Sequence, residues 1–309
     1  MGNPKFAVQT LDVLYNNENI NLKLVVTSKD KKRSRNKLTP TAVKKYALEN
    51  NIEVSNPDSV NTEEFVEYLE KLEIDFIVVV AFGQIIGDLL LEKFKDRIIN
   101  LHPSLLPKYR GASPMQFTLL NGDNKTAPTT MLIEKGMDSG DILIQDAVEI
   151  PSDFNYYQLE EKMSDLGSKA ILKTLLDFDN IYKNRIKQDD SLATYTTKTS
   201  KEMGKIDWNK TSFEIYNQIR ALIDYPTAFF EYEGINVKVL EAEILDSYKA
   251  NPGYVYEADR KNNIIVGTGD CAIKINKLQF PGKKPMETSV FFLGNDFKKG
   301  IYLWKTIIN

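Results

Sequence analysis

Asp75-Phe76-Ile77-Val78-Val79-Val80 is an apolar, largely β-branched run with almost no polar interruption. It is too short for a helix, and too apolar for a strand with one wet side. Such a run predicts a strand buried on both faces, in the middle of a parallel sheet. Its neighbours agree. Glu63 to Leu72 puts Phe65, Val66, Leu69 and Leu72 on one helical face, and Arg97 to His102 is a further strand candidate. Farther out, Ala7 to Tyr15 and Pro40 to Glu49 read as helices, the second with proline near its first turn. Leu22 to Thr27, Thr129 to Glu134 and Ile142 to Glu149 read as strands, and Tyr157 to Phe178 as a long helix. Strands alternating with helices predict an α/β domain with a mostly parallel sheet flanked by helices.

The pattern changes after Lys183. Lys183 to Thr199 is polar and rich in threonine and serine, which reads as a linker. Beyond it come one helix, Ser212 to Ala221, and short strands punctuated by turn signals: Ala228 to Tyr232, Val237 to Ala242, Gly253 to Glu257, Ile264 to Gly267 and Ala272 to Leu278. Strands this short and regular predict a small barrel or sandwich. The expected division is therefore residues 1–182, a linker over 183–203, and a second domain over 204–309. A length of 309 residues fits about two domains of about 100–150 residues each.

Composition removes many chemistries. The chain has one histidine, His102, and one cysteine, Cys271. Histidine-rich metal sites, cysteine zinc clusters and intramolecular disulfides are excluded, and no metal is expected. With 42% hydrophobic and 27% charged residues the chain is an ordinary globular protein. A formal charge of -3 argues against a protein that coats polyanions, while leaving room for a local basic patch. No apolar run approaches the ~18–20 residues of a membrane span, so the cytoplasm is the expected compartment. Cys271 reads as a small buried apolar residue, and Trp208, Tyr225 and Phe229 as core aromatics.

The chemical signal centres on Ile98-Ile99-Asn100-Leu101-His102-Pro103. In a strand, residues two apart share a face, so Asn100 and His102 project together and Pro103 ends the ladder. An amide and an imidazole then sit at the carboxyl end of a parallel strand, where open α/β sheets bind their ligands. The plain alternative is a strand-end histidine that caps a loop. A second loop, Glu134 to Asp141, carries Asp138-Ser139 between glycines. It reads either as a turn or as a carrier for a carboxylate that orients His102. No Gly-x-Gly-x-x-Gly fingerprint, phosphate-binding loop or Gly-x-Ser-x-Gly elbow is present.

Asn100-x-His102, Ser104-Leu105-Leu106-Pro107 and Gly136-x-Asp138-Ser139-Gly140-Asp141 together resemble the signature of the folate-dependent formyltransferase family. Nearly the whole chain resembles the members of that family that act on methionyl-tRNA. Gly2 to Ala7 resembles their first loop and Arg110 to Gln116 the helix entry after the site. Ser200-Lys201-Glu202 with Ile206-Asp207-Trp208 resembles their domain junction, and Pro281 to Met286 part of their C-terminal barrel. The resemblance implies a Rossmann-like catalytic domain and a small OB-like β-barrel that faces tRNA. It implies 10-formyltetrahydrofolate as co-substrate and initiator methionyl-tRNA as acceptor, with the protein acting as a monomer. Asn100, His102 and Asp138 become the expected catalytic trio, and Ser104, Leu105, Leu106, Pro107, Phe82 and Gly83 the folate contacts.

Lys31-Lys32-Arg33, with Arg35 and Lys37, forms a basic loop after the Leu22 strand. Read alone it is solvated surface. Through the resemblance, Arg33, Arg35 and Lys37 become expected acceptor-arm contacts, with Lys283 and Lys284 in the barrel. Two rivals remain at this stage: a formyltransferase for an amino-sugar nucleotide, and an RNA-binding module that has lost its activity. The sequence departs from the family pattern in three places. Phe82 stands where tyrosine is usual, and Tyr225-Pro226 replaces Trp-Pro. The apolar strand that usually precedes Gly2-Asn3-Pro4 is not in the sequence: either the true start lies upstream, or a gap beside the best-buried strand and low stability are expected of the 309-residue chain.

Overall fold

The computed structural model describes residues 1–32 and 38–303. Two compact units emerge, one built from Met1–Pro114, Lys125–Glu149 and Glu160–Thr196, the other from Met115–Asn124, Ile150–Leu159 and the chain from Thr197 onward.

In the first unit a four-stranded sheet runs in the order Ile142–Gln145, Thr129–Leu132, Ile98–His102, Ile77–Val79. The last two strands are parallel, with Ile77 opposite Ile98 and Val79 opposite Asn100, and the other pairings are antiparallel. Val25–Val26 pairs in parallel with Val54–Ser55. Met1 and Gly2 join the two sets. The Gly2 N–H donates to the Val26 carbonyl at 3.0 Å, and the Val80 N–H donates to the Met1 carbonyl at 2.9 Å. Only glycine fits at position 2, because a Cβ there would lie 2.9 Å from both the Ala7 Cβ and the Val80 carbonyl oxygen.

The Asp75–Val80 run is thus not flanked by two full strands. It lies at the end of the four-stranded order, with Met1–Gly2 along its outer side, and Ile77 and Val79 are buried while Val78 is half-buried. A cleft of about 520 Å³ opens beside it, lined among others by Leu11, Leu14, Leu24, Leu69 and Phe76. Helices cover this sheet as the periodicity predicts. Glu63–Lys71 buries Phe65, Val66 and Leu69, and its Thr62 hydroxyl accepts the Phe65 N–H, an N-cap worth about 1 kcal/mol.

Several elements are shorter or divided. The Leu22 strand contracts to Val25–Val26. Ile142 to Glu149 splits, and Val148–Glu149 pairs with Lys125–Thr126. The long helix runs Tyr156–Leu176, followed by a separate helix Phe178–Lys183. The polar stretch after it is structured by backbone pairing: Ile186 bridges Ile142, and Tyr195–Thr196 lies in parallel beside Arg110–Gly111. Polarity in sequence does not distinguish a free linker from one whose N–H and C=O groups are used by distant backbone.

The second unit holds an antiparallel sheet in the order Ala228–Tyr232, Ile235–Leu245, Ala272–Gln279, Asn263–Gly267, Val255–Asp259, with Met286–Glu287 also on Ala272–Gln279. Glu233 and Gly234 both take positive φ, 51° and 79°, the two-residue hairpin turn that matches strand twist. Ile235–Leu245 is longer than predicted and shifts register around Glu241, as bulges allow a long strand to bend. Helix Ser212–Ala221 falls at its predicted bounds, opened by a capping box between Thr211 and Glu214. Its Ile215 and Ile219 join Trp208, Phe230, Val239 and Ile275 in one core. Cys271 is buried as expected. Tyr225 and Phe229 are not core: Tyr225 is 55% exposed, and Phe229 is a half-buried position between buried Ala228 and Phe230, on the opposite face of its strand. Among the described residues no helix is long and apolar enough to cross a membrane.

Candidate active site

The Ile98–His102 strand alternates as the sequence predicts. Ile99 and Leu101 are buried in the core, while Asn100, half-buried, shares the other face with His102. His102 is only 4% exposed. Its Nε2 lies 2.9 Å from the Tyr109 carbonyl, so that nitrogen carries the proton and donates. Its Nδ1 lies 3.5 Å from Asp138 Oδ2. That carboxylate oxygen also accepts the Gly111 N–H at 2.7 Å. The Asn100 amide has no hydrogen-bond partner among the described residues. The site therefore combines an imidazole held between two oxygens with an adjacent uncommitted amide.

The backbone around these groups is unusual. Tyr109, Ser113 and Asp138 have φ of 64°, 58° and 47°, and Gly111 has φ of 107°. Left-handed conformations cost about 1–3 kcal/mol at residues with a side chain, and they persist where the surroundings over-determine them. The surroundings here are the Thr194–Thr196 segment: the Tyr109 N–H donates to the Thr194 side-chain Oγ1 and the Arg110 N–H to the Thr194 carbonyl, both at 2.8 Å. Gly111 is required for this approach, since a Cβ would stand 2.5 Å from the Thr196 carbonyl oxygen.

The expected folate contacts divide into inner and outer residues. Ser104 is wholly buried; its hydroxyl donates to the Lys108 carbonyl and its own carbonyl accepts from Thr129, both at 2.7 Å. Leu106 is buried with Met131 and Ile142. Phe82 is core, beside Val26, Phe65 and Val79, and its carbonyl accepts from the Asn3 amide. Leu105 and Pro107 are half-buried, and Gly83 is exposed at φ 86°. Ile85, two residues beyond Gly83, is 84% exposed, an apolar surface that the sequence reading passed over. The cleft beside Met1 includes none of Asn100, His102 or Asp138 in its lining.

Arg33, Arg35 and Lys37 lie outside the described residues; the segments on either side, Lys31–Lys32 and Leu38–Thr39, pair antiparallel. Lys283 and Lys284 are exposed in the second unit, in a turn closed by the Lys283 N–H on the Phe280 carbonyl. The sequence reading gave no site role to Arg110, quoted there only within the Arg110–Gln116 segment, or to Gln188; both are buried. Burial pulls the Arg110 guanidinium downward, but the Asp190 carboxylate at 2.8 Å and the Tyr195 hydroxyl more than offset this, and its pKa is raised. Neither residue lies in a periodic pattern that would have flagged it.

Residues 1–175 match the formyl transferase family model, and residues 198–296 match the formyl transferase C-terminal domain. A methionyl-tRNA formyltransferase of Finegoldia magna is 43% identical over 98% of this chain and 97% of its own. One of Halothermothrix orenii is 39% identical over 97% of each. Among solved structures, WlaRD, a sugar 3N-formyl transferase crystallised in the presence of dTDP and 5-N-formyl-THF, is 26% identical with a TM-score of 0.67, covering 92% of this chain and 97% of its own. Two matched domains in the right order and relatives aligned over nearly the whole chain place it in the formyl transferase family, among the methionyl-tRNA formyltransferases.

Proposed function

We propose that this chain transfers a formyl group from 10-formyltetrahydrofolate to the α-amino group of initiator methionyl-tRNA, as a cytoplasmic monomer. The observation that carries the reading is the Asp138 carboxylate 3.5 Å from the lone imidazole, beside the uncommitted Asn100 amide. In the reaction an uncharged amine attacks the formyl carbon, forming a C–N bond and turning the formyl oxygen into an oxyanion. Collapse breaks the bond to folate N10; the amine nitrogen loses a proton and N10 gains one. Catalysis then needs donors at the oxyanion and a group that accepts the amine proton. Asn100 supplies the first donor. His102 supplies the second by exchanging the Tyr109 carbonyl for the oxyanion, while Asp138 balances the ring's positive charge and, through water, takes up the amine proton.

Leu105, Pro107 and Gly83, with the exposed Ile85, give the folate a partly apolar surface to lie on, and Ser104, Leu106 and Phe82 hold that surface from behind. Arg33, Arg35 and Lys37, with Lys283 and Lys284, supply cations for the tRNA backbone. The 26% identity to a sugar 3N-formyl transferase favours a second reading, transfer to an amino-sugar nucleotide, which the basic loop and the Ile206-Asp207-Trp208 junction oppose. The test is a parallel assay of 10-formyltetrahydrofolate with methionyl-tRNA and with an amino-sugar nucleotide. Formylation of the tRNA is expected. Turnover of the sugar alone would replace this reading by the second, and turnover of neither would favour a binding module.

A further inference from the structure

The Asp138 loop is gripped at two levels by one dipeptide, Arg110-Gly111. Gly111 donates its N–H to the Asp138 carboxylate at 2.7 Å. Arg110 acts through Gln188: its Nε–H donates to Gln188 Oε1 at 3.0 Å. The Gln188 Nε2 in turn donates to the Asp138 carbonyl at 2.9 Å and to the Gly140 carbonyl at 2.8 Å. Both N–H groups of that amide are matched, and its oxygen accepts from Arg110. Two carbonyls can only accept and a guanidinium N–H can only donate, so the amide has one orientation. Gln188 is 7% exposed and the Arg110 side chain 2%, where an unmatched polar group is costly.

The geometry points to Gln188 as a positioning residue for formyl transfer, fixing the backbone on both sides of Ser139 so that the Asp138 carboxylate meets His102. The inference rests on the catalytic reading of Asp138 and His102 given above. Asp138 holds a left-handed φ of 47°, a conformation that a loop leaves readily when its carbonyls lose their donors. At 3.5 Å the Asp138–His102 contact is already long, and a displacement of about 1 Å costs on the order of 10²-fold in a reaction that depends on placement. The Arg110 guanidinium locks the amide from the other side and is itself held by Asp190. The same Tyr109–Gly111 segment contacts His102 through the Tyr109 carbonyl, so one short piece of chain sets both members of the pair.

The test is a double-mutant cycle on the full chain, with 10-formyltetrahydrofolate and methionyl-tRNA as substrates. Gln188→Leu, similar in size and without donors, is expected to lower kcat at least tenfold while both KM values stay within threefold. In the Asp138→Asn background the same change is expected to lower kcat less than twofold, because Gln188 acts through Asp138. The ring resonances of His102, which has no other histidine to overlap it, should move in Gln188→Leu at fixed pH. Gln188→Glu keeps the shape and sets one carboxylate oxygen, in place of Nε2, against both carbonyls; it should reproduce the kcat loss and covers the case in which the leucine variant does not fold. A kcat within twofold of the parent for a folded variant overturns the proposal, as does a full tenfold loss in both backgrounds, which would mean a general structural role. If Asp138→Asn alone leaves kcat unchanged, the catalytic reading itself falls and this inference with it.

Discussion

Asp138 presents Oδ2 to His102 Nδ1 at 3.5 Å while the same oxygen accepts the Gly111 N–H at 2.7 Å. The shorter bond fixes the carboxylate, and the contact to the ring is the longer of the two. Asp138→Asn keeps the shape and an oxygen for Gly111, but removes the charge that faces the ring. It should lower kcat by about 10²–10³ with the folate KM little changed, the range expected when a positioned acid–base or electrostatic group is lost. His102→Ala should lower kcat by more. Steady-state kinetics at saturating methionyl-tRNA decides it, and a loss below tenfold for His102→Ala would remove the ring from the centre of the reaction.

One imidazole in 309 residues makes a clean spectroscopic probe. His102 is 4% exposed and set between the Tyr109 carbonyl and Asp138, so a ligand reaching Asn100 must disturb it. Its ring resonances are expected to shift when 5-formyltetrahydrofolate is added at fixed pH. No shift at a folate concentration that saturates the protein by calorimetry would detach the folate site from this histidine.

Gly111 tests whether the site's backbone is as constrained as its contacts imply. Alanine there would hold a φ of 107° and put its Cβ 2.5 Å from the Thr196 carbonyl oxygen. The expected cost is about 1–3 kcal/mol of stability, the usual price of such a conformation, together with a fall in kcat because the N–H on Asp138 moves. Urea unfolding and kcat should change together. A Gly111→Ala chain with the stability of the parent would show that the Thr194–Thr196 backbone yields freely.

How much of this was legible in sequence depended on the range of the interaction. Residues two apart on a strand share a face whatever lies around them, so Asn100 and His102 could be placed together from the pattern. The capping box at Thr211 and the turn at Glu233-Gly234 are equally local. Gln188 was read as linker because its meaning lies in three partners far along the chain, Arg110, Asp138 and Gly140. Phe82 and Ser104, expected as folate contacts, face inward, which depends on packing that no motif encodes. The Asp75–Val80 run was read as central from its apolarity, yet burial can come from helices over a sheet as well as from strands at both edges.

Arg35 and the Lys283-Lys284 pair separate acceptor-arm contact from ordinary surface charge. If each cation neutralises one phosphate, Arg35→Ala should raise the methionyl-tRNA KM and reduce the slope of log affinity against log salt by about 0.7–0.9, and the double change Lys283→Ala with Lys284→Ala by up to about twice that. The folate KM should stay as it is. KM values for tRNA at several salt concentrations measure this, and slopes equal to the parent's would return those side chains to solvated surface.

Asp270 gives a prediction for the second unit alone. Its carboxylate accepts the Ser212 N–H at 2.7 Å at the start of helix Ser212–Ala221, together with the Cys271 N–H and the Thr268 hydroxyl, both at 2.9 Å. Burial pushes its pKa up, these donors outweigh the burial, and the net direction is down. A carboxylate depressed in the folded state contributes stability in full above its unfolded pKa of about 3.9 and loses that contribution as pH falls through the lower folded value. Asp270→Ala should therefore cost about 1 kcal/mol at pH 7, as loss of a helix cap does, and the gap between the two chains should narrow below about pH 4. Urea unfolding at pH 7 and pH 3 reads it directly. A gap of the same size at both pH values would mean that Asp270 acts by filling space and that its charge is without effect on the helix.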